Sequence, residues 1–96
     1  MNPDLLNNLA EYISVLSASL EKANNVQDRC AYERHLAAAA SIRQSLRQSD
    51  FRQASQQVAN EERNFGWSFL PGEEGKAAEA AFMRFKKLFD REQVNE

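Results

Sequence analysis

The chain carries one histidine and one cysteine, the two residue types most often recruited for nucleophilic and metal chemistry. At helical spacings of three and four, His35 is flanked by Ala31, Tyr32, Ala38 and Ala39, none of them a strong metal ligand. Cys30 lies five residues before it, about 500 degrees of helical rotation away, so one helix does not bring the two together as a nucleophile pair. Both are expected to be structural or surface groups. Glu61 and Glu62 are adjacent and diverge by about 100 degrees on a helix, while Glu73 and Glu74 suit a helix start, so neither pair points to paired-carboxylate chemistry. A di-iron bundle needs Glu-x-x-His elements, and Tyr32 stands where that Glu would be. The sequence contains no HExxH, CxxC, P-loop, GxSxG or EF-hand pattern. These observations lead to an expectation of a non-enzymatic protein with no catalytic residues, metal or cofactor.

Two stretches have the composition of binding surfaces. Phe65, Trp67, Phe69 and Leu70 place large apolar side chains around Gly66 and Ser68, in a segment that also holds Pro71, Gly72 and Gly75. Facing outward, they would form an aromatic anchor of the kind that dominates protein interfaces; facing inward, they would plug the end of a small core. They are the candidate partner-binding residues. Arg84, Lys86, Lys87 and Arg91 alternate with Phe85, Leu88 and Phe89, so one helix face can pack while the other meets phosphates. They are the candidate nucleic-acid-binding residues, although a solvated basic face of an ordinary amphipathic helix explains them as well.

Helices must position these groups. Asn2, Pro3 and Asp4 form a start signal, and Leu5, Leu9, Tyr12, Ile13, Leu16 and Leu20 then recur at threes and fours, predicting a helix over 3–23. Asn24 and Asn25 tolerate the left-handed conformation that ends a helix. A second helix is predicted over 27–48, following Tyr32, Leu36, Ala39, Ile42 or Arg43, and Leu46. The small side chains Ala37 to Ala40 lead to an expectation of the closest helix approach there. Ser49 and Asp50 cap a third helix over 51–64, with Phe51, Ala54, Val58, Glu61 or Glu62, and Phe65 on one thin face. The segment 65–75 is expected to be a turn region. The last helix is predicted over 74–92, with Ala78, Ala81, Phe82, Phe85, Leu88 and Phe89 on one face.

Short connections favour antiparallel neighbours, so the predicted fold is all-α: a single domain of about four helices in antiparallel αα-hairpins. The thin face of the third helix leaves two alternatives open, that it lies across one end of a three-helix core or that the core is completed in a homodimer. With 96 residues and a formal charge of -2, the chain suits one small domain and has no global field for nucleic acid or an anionic membrane. It has no apolar run of membrane-spanning length and no signal-peptide pattern, and the single Cys30 agrees with a reducing compartment, so a cytoplasmic location is expected.

With Asn2-Pro-Asp-Leu-Leu6 at its start and Phe65-Gly-Trp-Ser-Phe69 before a final amphipathic helix, the chain resembles small accessory proteins from the early regions of lambdoid phages. Within that group the anti-RecBCD proteins, which modify a host nuclease, are similar in size. The resemblance implies a non-enzymatic protein that binds and modulates a host enzyme in the host cytoplasm. The resulting expectation is a protein-interaction module, with accessory nucleic-acid binding and a structural homodimer as the alternatives.

Overall fold

The computed structural model describes residues 3–67, 70 and 72–94, with Trp67, Gln93 and Val94 described by backbone alone. Four helices follow in order: α1 (Pro3–Lys22), α2 (Val26–Arg47), α3 (Phe51–Trp67) and α4 (Gly72–Val94). The molecule measures 43 × 20 × 19 Å, and a cross-section near 20 Å accommodates a two-by-two array of helices. The close backbone pairs are α1 with α4, α1 with α2, and α2 with α3. Between α3 and α4 long side chains bridge the space instead, with Phe65 and Phe82 ring centroids 5.4 Å apart.

Each helix turns a regular three-and-four stripe inward. Leu5, Leu9, Tyr12, Leu16 and Ser19 do so on α1, and Tyr32, His35, Ala39, Ile42 and Leu46 on α2. Ala54, Val58 and Glu61 continue the layer on α3, and Ala78, Phe82, Phe85 and Phe89 on α4. This alternation keeps one face toward the bundle axis along several turns. The aromatic column of α4 runs at 6.5 Å from Phe82 to Phe85 and 5.9 Å from Phe85 to Phe89, within the range of favourable ring pairs.

The helix ends correct several expectations. The Asn2 cap lies outside the described residues. Asn25 has an extended backbone and caps α2, its Oδ1 accepting from the Asp28 amide at 2.8 Å, so it starts the second helix rather than ending the first in a left-handed turn. The left-handed non-glycine residue among those described is Ser49, at φ 59°, and Asp50 behind it caps α3 by accepting from the Gln53 amide at 3.1 Å. Within the alanine tetrad only Ala39 is buried, while Ala37 and Ala40 are exposed, so the tetrad contributes helix propensity more than close approach. Helix α3 lies along the bundle beside α2, not across its end, and continues through Gly66 to Trp67. The predicted turn region 65–75 is thereby shortened from both sides, since α4 begins at Gly72.

Gly75 permits the tight return into α4. A Cβ there would collide with the Leu70 carbonyl and stand 2.9 Å from the Leu70 Cβ. Gly66 has open space around it. Gly75→Ala should therefore lower stability by about 1–3 kcal/mol through overpacking. Gly66→Ala should be neutral or raise it by up to about 1 kcal/mol through helix propensity. Urea denaturation of the two variants measures both effects, and equal effects would remove the steric explanation.

Candidate functional site

Of the four aromatic-segment candidates, Phe65 and Leu70 pack partly buried against the core. Phe65 stacks on the His35 ring at 4.5 Å and lies 6.2 Å from the Tyr12 ring. The Trp67 side chain and Phe69 lie outside the described residues. The structure therefore turns Phe65 and Leu70 inward, where the Phe65 ring extends the core.

The basic candidates share α4 but have different surroundings. Arg84 reaches across to Glu11 on α1 at 3.2 Å. Lys86 sits between Asp90 at 2.7 Å and Glu62 on α3 at 3.5 Å. The hydrogen bond to Asp90 is the main reason the Lys86 ammonium holds its proton beyond the usual lysine range. Lys87 and Arg91 are exposed and form no ion pair with a described residue. Met83 is 44% exposed on the same outer side, within a shallow depression of about 480 Å³ that also involves Ala80, Arg84, Lys86, Lys87 and Asp90.

The concentration of chemistry that the sequence did not reveal lies inside the bundle. Glu61 has no exposed surface, and both of its carboxylate oxygens are hydrogen-bonded. Tyr12 donates its hydroxyl to Glu61 Oε2 at 2.6 Å, His35 Nδ1 lies 3.0 Å from Oε1, and Asn64 Nδ2 donates to Oε1 at 3.2 Å. Helices α1 and α2 contribute one member each and α3 contributes two, Glu61 and Asn64, while Phe82 of α4 closes the layer 5.4 Å from the Tyr12 ring. A carboxylate offers about four lone-pair positions, so three donors go far toward replacing the water it has lost.

A His–Glu–Tyr set can perform acid–base chemistry where substrate reaches it. Here His35 is 2% exposed and Tyr12 and Glu61 are closed to solvent, with Phe65 stacked over the imidazole. The arrangement suits a structural polar layer. Among the described residues no group of three or more His, Cys, Asp or Glu side chains is placed to hold a metal ion. Cys30 is exposed and free. No helix is long and apolar enough to cross a membrane among the described residues.

Sequence signals for the layer existed. Tyr12, His35 and Glu61 each occupy the inward stripe of their own helix, and a carboxylate on such a stripe needs donors from the facing helices. Neighbours within a single helix do not reveal that pairing. No protein-family model, curated protein or solved structure matches the chain.

Burial, then the adjacent Glu61 charge and its hydrogen bond, push the Tyr12 hydroxyl far above its ordinary value of about 10. Burial also raises Tyr32. For a raised tyrosine the stabilisation is fully present below the unfolded value and falls as pH rises toward the folded one, because the unfolded chain ionises first. Above about pH 10, stability should therefore fall, and tyrosinate absorbance should rise in the same transition that removes helical circular dichroism. Tyrosine ionisation in a chain that remains helical would contradict the burial of both hydroxyls.

Proposed function

We propose that this protein is a non-enzymatic protein-interaction module whose binding surface is the outer face of α4 around Met83. The observation that carries this reading is a large exposed apolar side chain set in a depression lined by Arg84, Lys86, Lys87 and Asp90. The other large exposed hydrophobic residue among those described, Val26, sits at the first position of α2, and a single such residue is ordinary on a protein surface. Met83 offers a flexible, polarisable anchor point, and Lys87 in the same depression, with exposed Arg91 one turn further along α4, favours an acidic partner surface.

The same geometry weakens the case for nucleic acid. Affinity for a phosphate backbone grows with the number of phosphates neutralised, and the carboxylates Glu11, Glu62 and Asp90 already engage Arg84 and Lys86. A homodimer has less physical motive than the thin third stripe suggested, since fully buried residues on all four helices support a core completed within one chain. Closure of the Tyr12–Glu61–His35 layer supports a role without catalysis. The resemblance to lambdoid-phage accessory proteins makes a host nuclease the first partner to try, with the protein acting as its modulator.

The test is affinity capture from bacterial lysate, together with direct binding to a purified nuclease complex of the RecBCD type. Wild type should retain a protein partner, and Met83→Asp should weaken retention at least about tenfold while leaving the fold intact. A Lys87→Glu, Arg91→Glu variant should weaken it to a smaller extent. Loss in a Trp67→Ala, Phe69→Ala variant but not in Met83→Asp would move the contact to the α3–α4 connection. Capture of nucleic acid alone, released steeply by added salt, would replace this reading with the nucleic-acid one.

A further inference from the structure

The charges around Met83 on α4 are arranged in opposition. Lys76 and Asp90 lie seven residues before and after it, and Glu79 and Lys87 four residues before and after it. Along a helix, steps of seven and four residues return to within about 20 and 40 degrees of the starting direction, so these side chains share the side that Met83 presents. All of them are exposed, Lys76 at 79% and Asp90 at 54%. The sign of the charge reverses across Met83 at both distances. Ala80, exposed on the same side, is small enough to let another backbone come close.

Little within the chain uses these charges. Glu79 and Lys87 form no ion pair with a described residue. Lys76 reaches only Glu73 of its own helix, loosely, at 3.9 Å. Asp90 accepts from Lys86 at 2.7 Å and keeps further acceptor capacity. A charge pattern that reverses about its midpoint is complementary to its own antiparallel copy. A two-fold axis through Met83 sets each residue opposite the one equally far beyond Met83 in a second chain. Glu79 then meets Lys87 of the second copy and Lys76 meets its Asp90, each contact made twice by the symmetry. The two Met83 side chains meet on the axis.

We infer that the outer face of α4 pairs antiparallel with the same face of a second copy of this chain, with Met83 at the centre and these ion pairs around it. The inference rests on the reading of the Met83 face as a binding surface and names one occupant for it. Because the core closes within one chain, the pairing joins folded monomers and does not complete them. One helix pair is at the small end of specific interfaces, on the order of 1,000 Å² in total, so the dimer is reversible and dilution frees the face. Self-pairing thereby makes access for any other partner depend on protein concentration.

The experiment is sedimentation equilibrium from about 10 μM to about 1 mM, a range that spans weak association. Wild type should pass from the monomer mass of 10.9 kDa toward twice that value. Lys87→Glu and Glu79→Lys each set like charges opposite one another and should weaken pairing at least about tenfold, with helical circular dichroism unchanged at these exposed positions. The double Glu79→Lys, Lys87→Glu variant restores opposite signs and should recover the wild-type constant. An equimolar mixture of the two single variants should associate as a mixed dimer for the same reason. A wild type that stays monomeric at every concentration, a dimer untouched by either single substitution, or no recovery in the double variant and the mixture would each overturn the inference. A monomeric chain whose captured protein is still lost on Met83→Asp overturns the self-pairing alone and leaves the proposed function standing. A dimer with these charge responses that captures no protein does the reverse.

Discussion

A carboxylate with no exposed surface constrains everything packed around it. Glu61 lies on the inward stripe of α3, where an apolar residue would suit the core, and its charge must be answered by donors supplied at fixed depth from other helices. Tyr12 and His35 supply them from α1 and α2, at 2.6 and 3.0 Å. Sliding α1 or α2 by one turn, about 5.4 Å, would take away one of its donors, and sliding α3 would take away both Tyr12 and His35. The apolar layers above and below tolerate such shifts far better, since one leucine contact can replace another. The polar layer therefore selects the register of the bundle, while the hydrophobic layers supply most of the driving force.

This arrangement also explains features that look unrelated to it. Phe65 stacks on His35, and that contact anchors the last turn of α3, carrying the helix through Gly66 despite the propensity cost of glycine. Phe82 fills the fourth side of the layer, and the wide spacing of α3 and α4 gives room for the two rings to meet. Above the layer, Lys86 spans the same gap to Glu62, so the neighbouring carboxylates have divided tasks: Glu61 faces the core and Glu62 the surface.

Much of the fold is legible from residue spacing. The inward stripes of α1 and α4, the cap at Asp50 and the number of helices follow from apolar periodicity and start signals, which are local properties. The limits of α3 and the role of Glu61 are not local. Along α3 the pattern allows either Glu61 or Glu62 on the stripe, and the choice depends on donors located 26 and 49 residues away in sequence. His35 reads as inert when weighed against its own helical neighbours, all of them apolar or aromatic. Its partner lies on another helix. Asn25 was similarly ambiguous, because asparagine suits both a left-handed helix end and an N-cap, and only the extended backbone with its bond to the Asp28 amide decides between them. For the candidate surfaces, sequence located the cations of α4 but not their partners Glu11 and Glu62, which belong to other helices.

The polar chemistry of the protein thus divides between an enclosed layer that holds the helices and outward groups available to partners. The most direct test of the enclosed layer is a double-mutant cycle on His35 and Glu61, comparing His35→Ala, Glu61→Ala and the double variant by urea denaturation. The account predicts a coupling energy of about 1–3 kcal/mol, with the double variant less destabilised than the sum of the singles. Additive losses, within about 0.5 kcal/mol, would mean that the two side chains act independently and that the buried carboxylate does not set the register of the bundle.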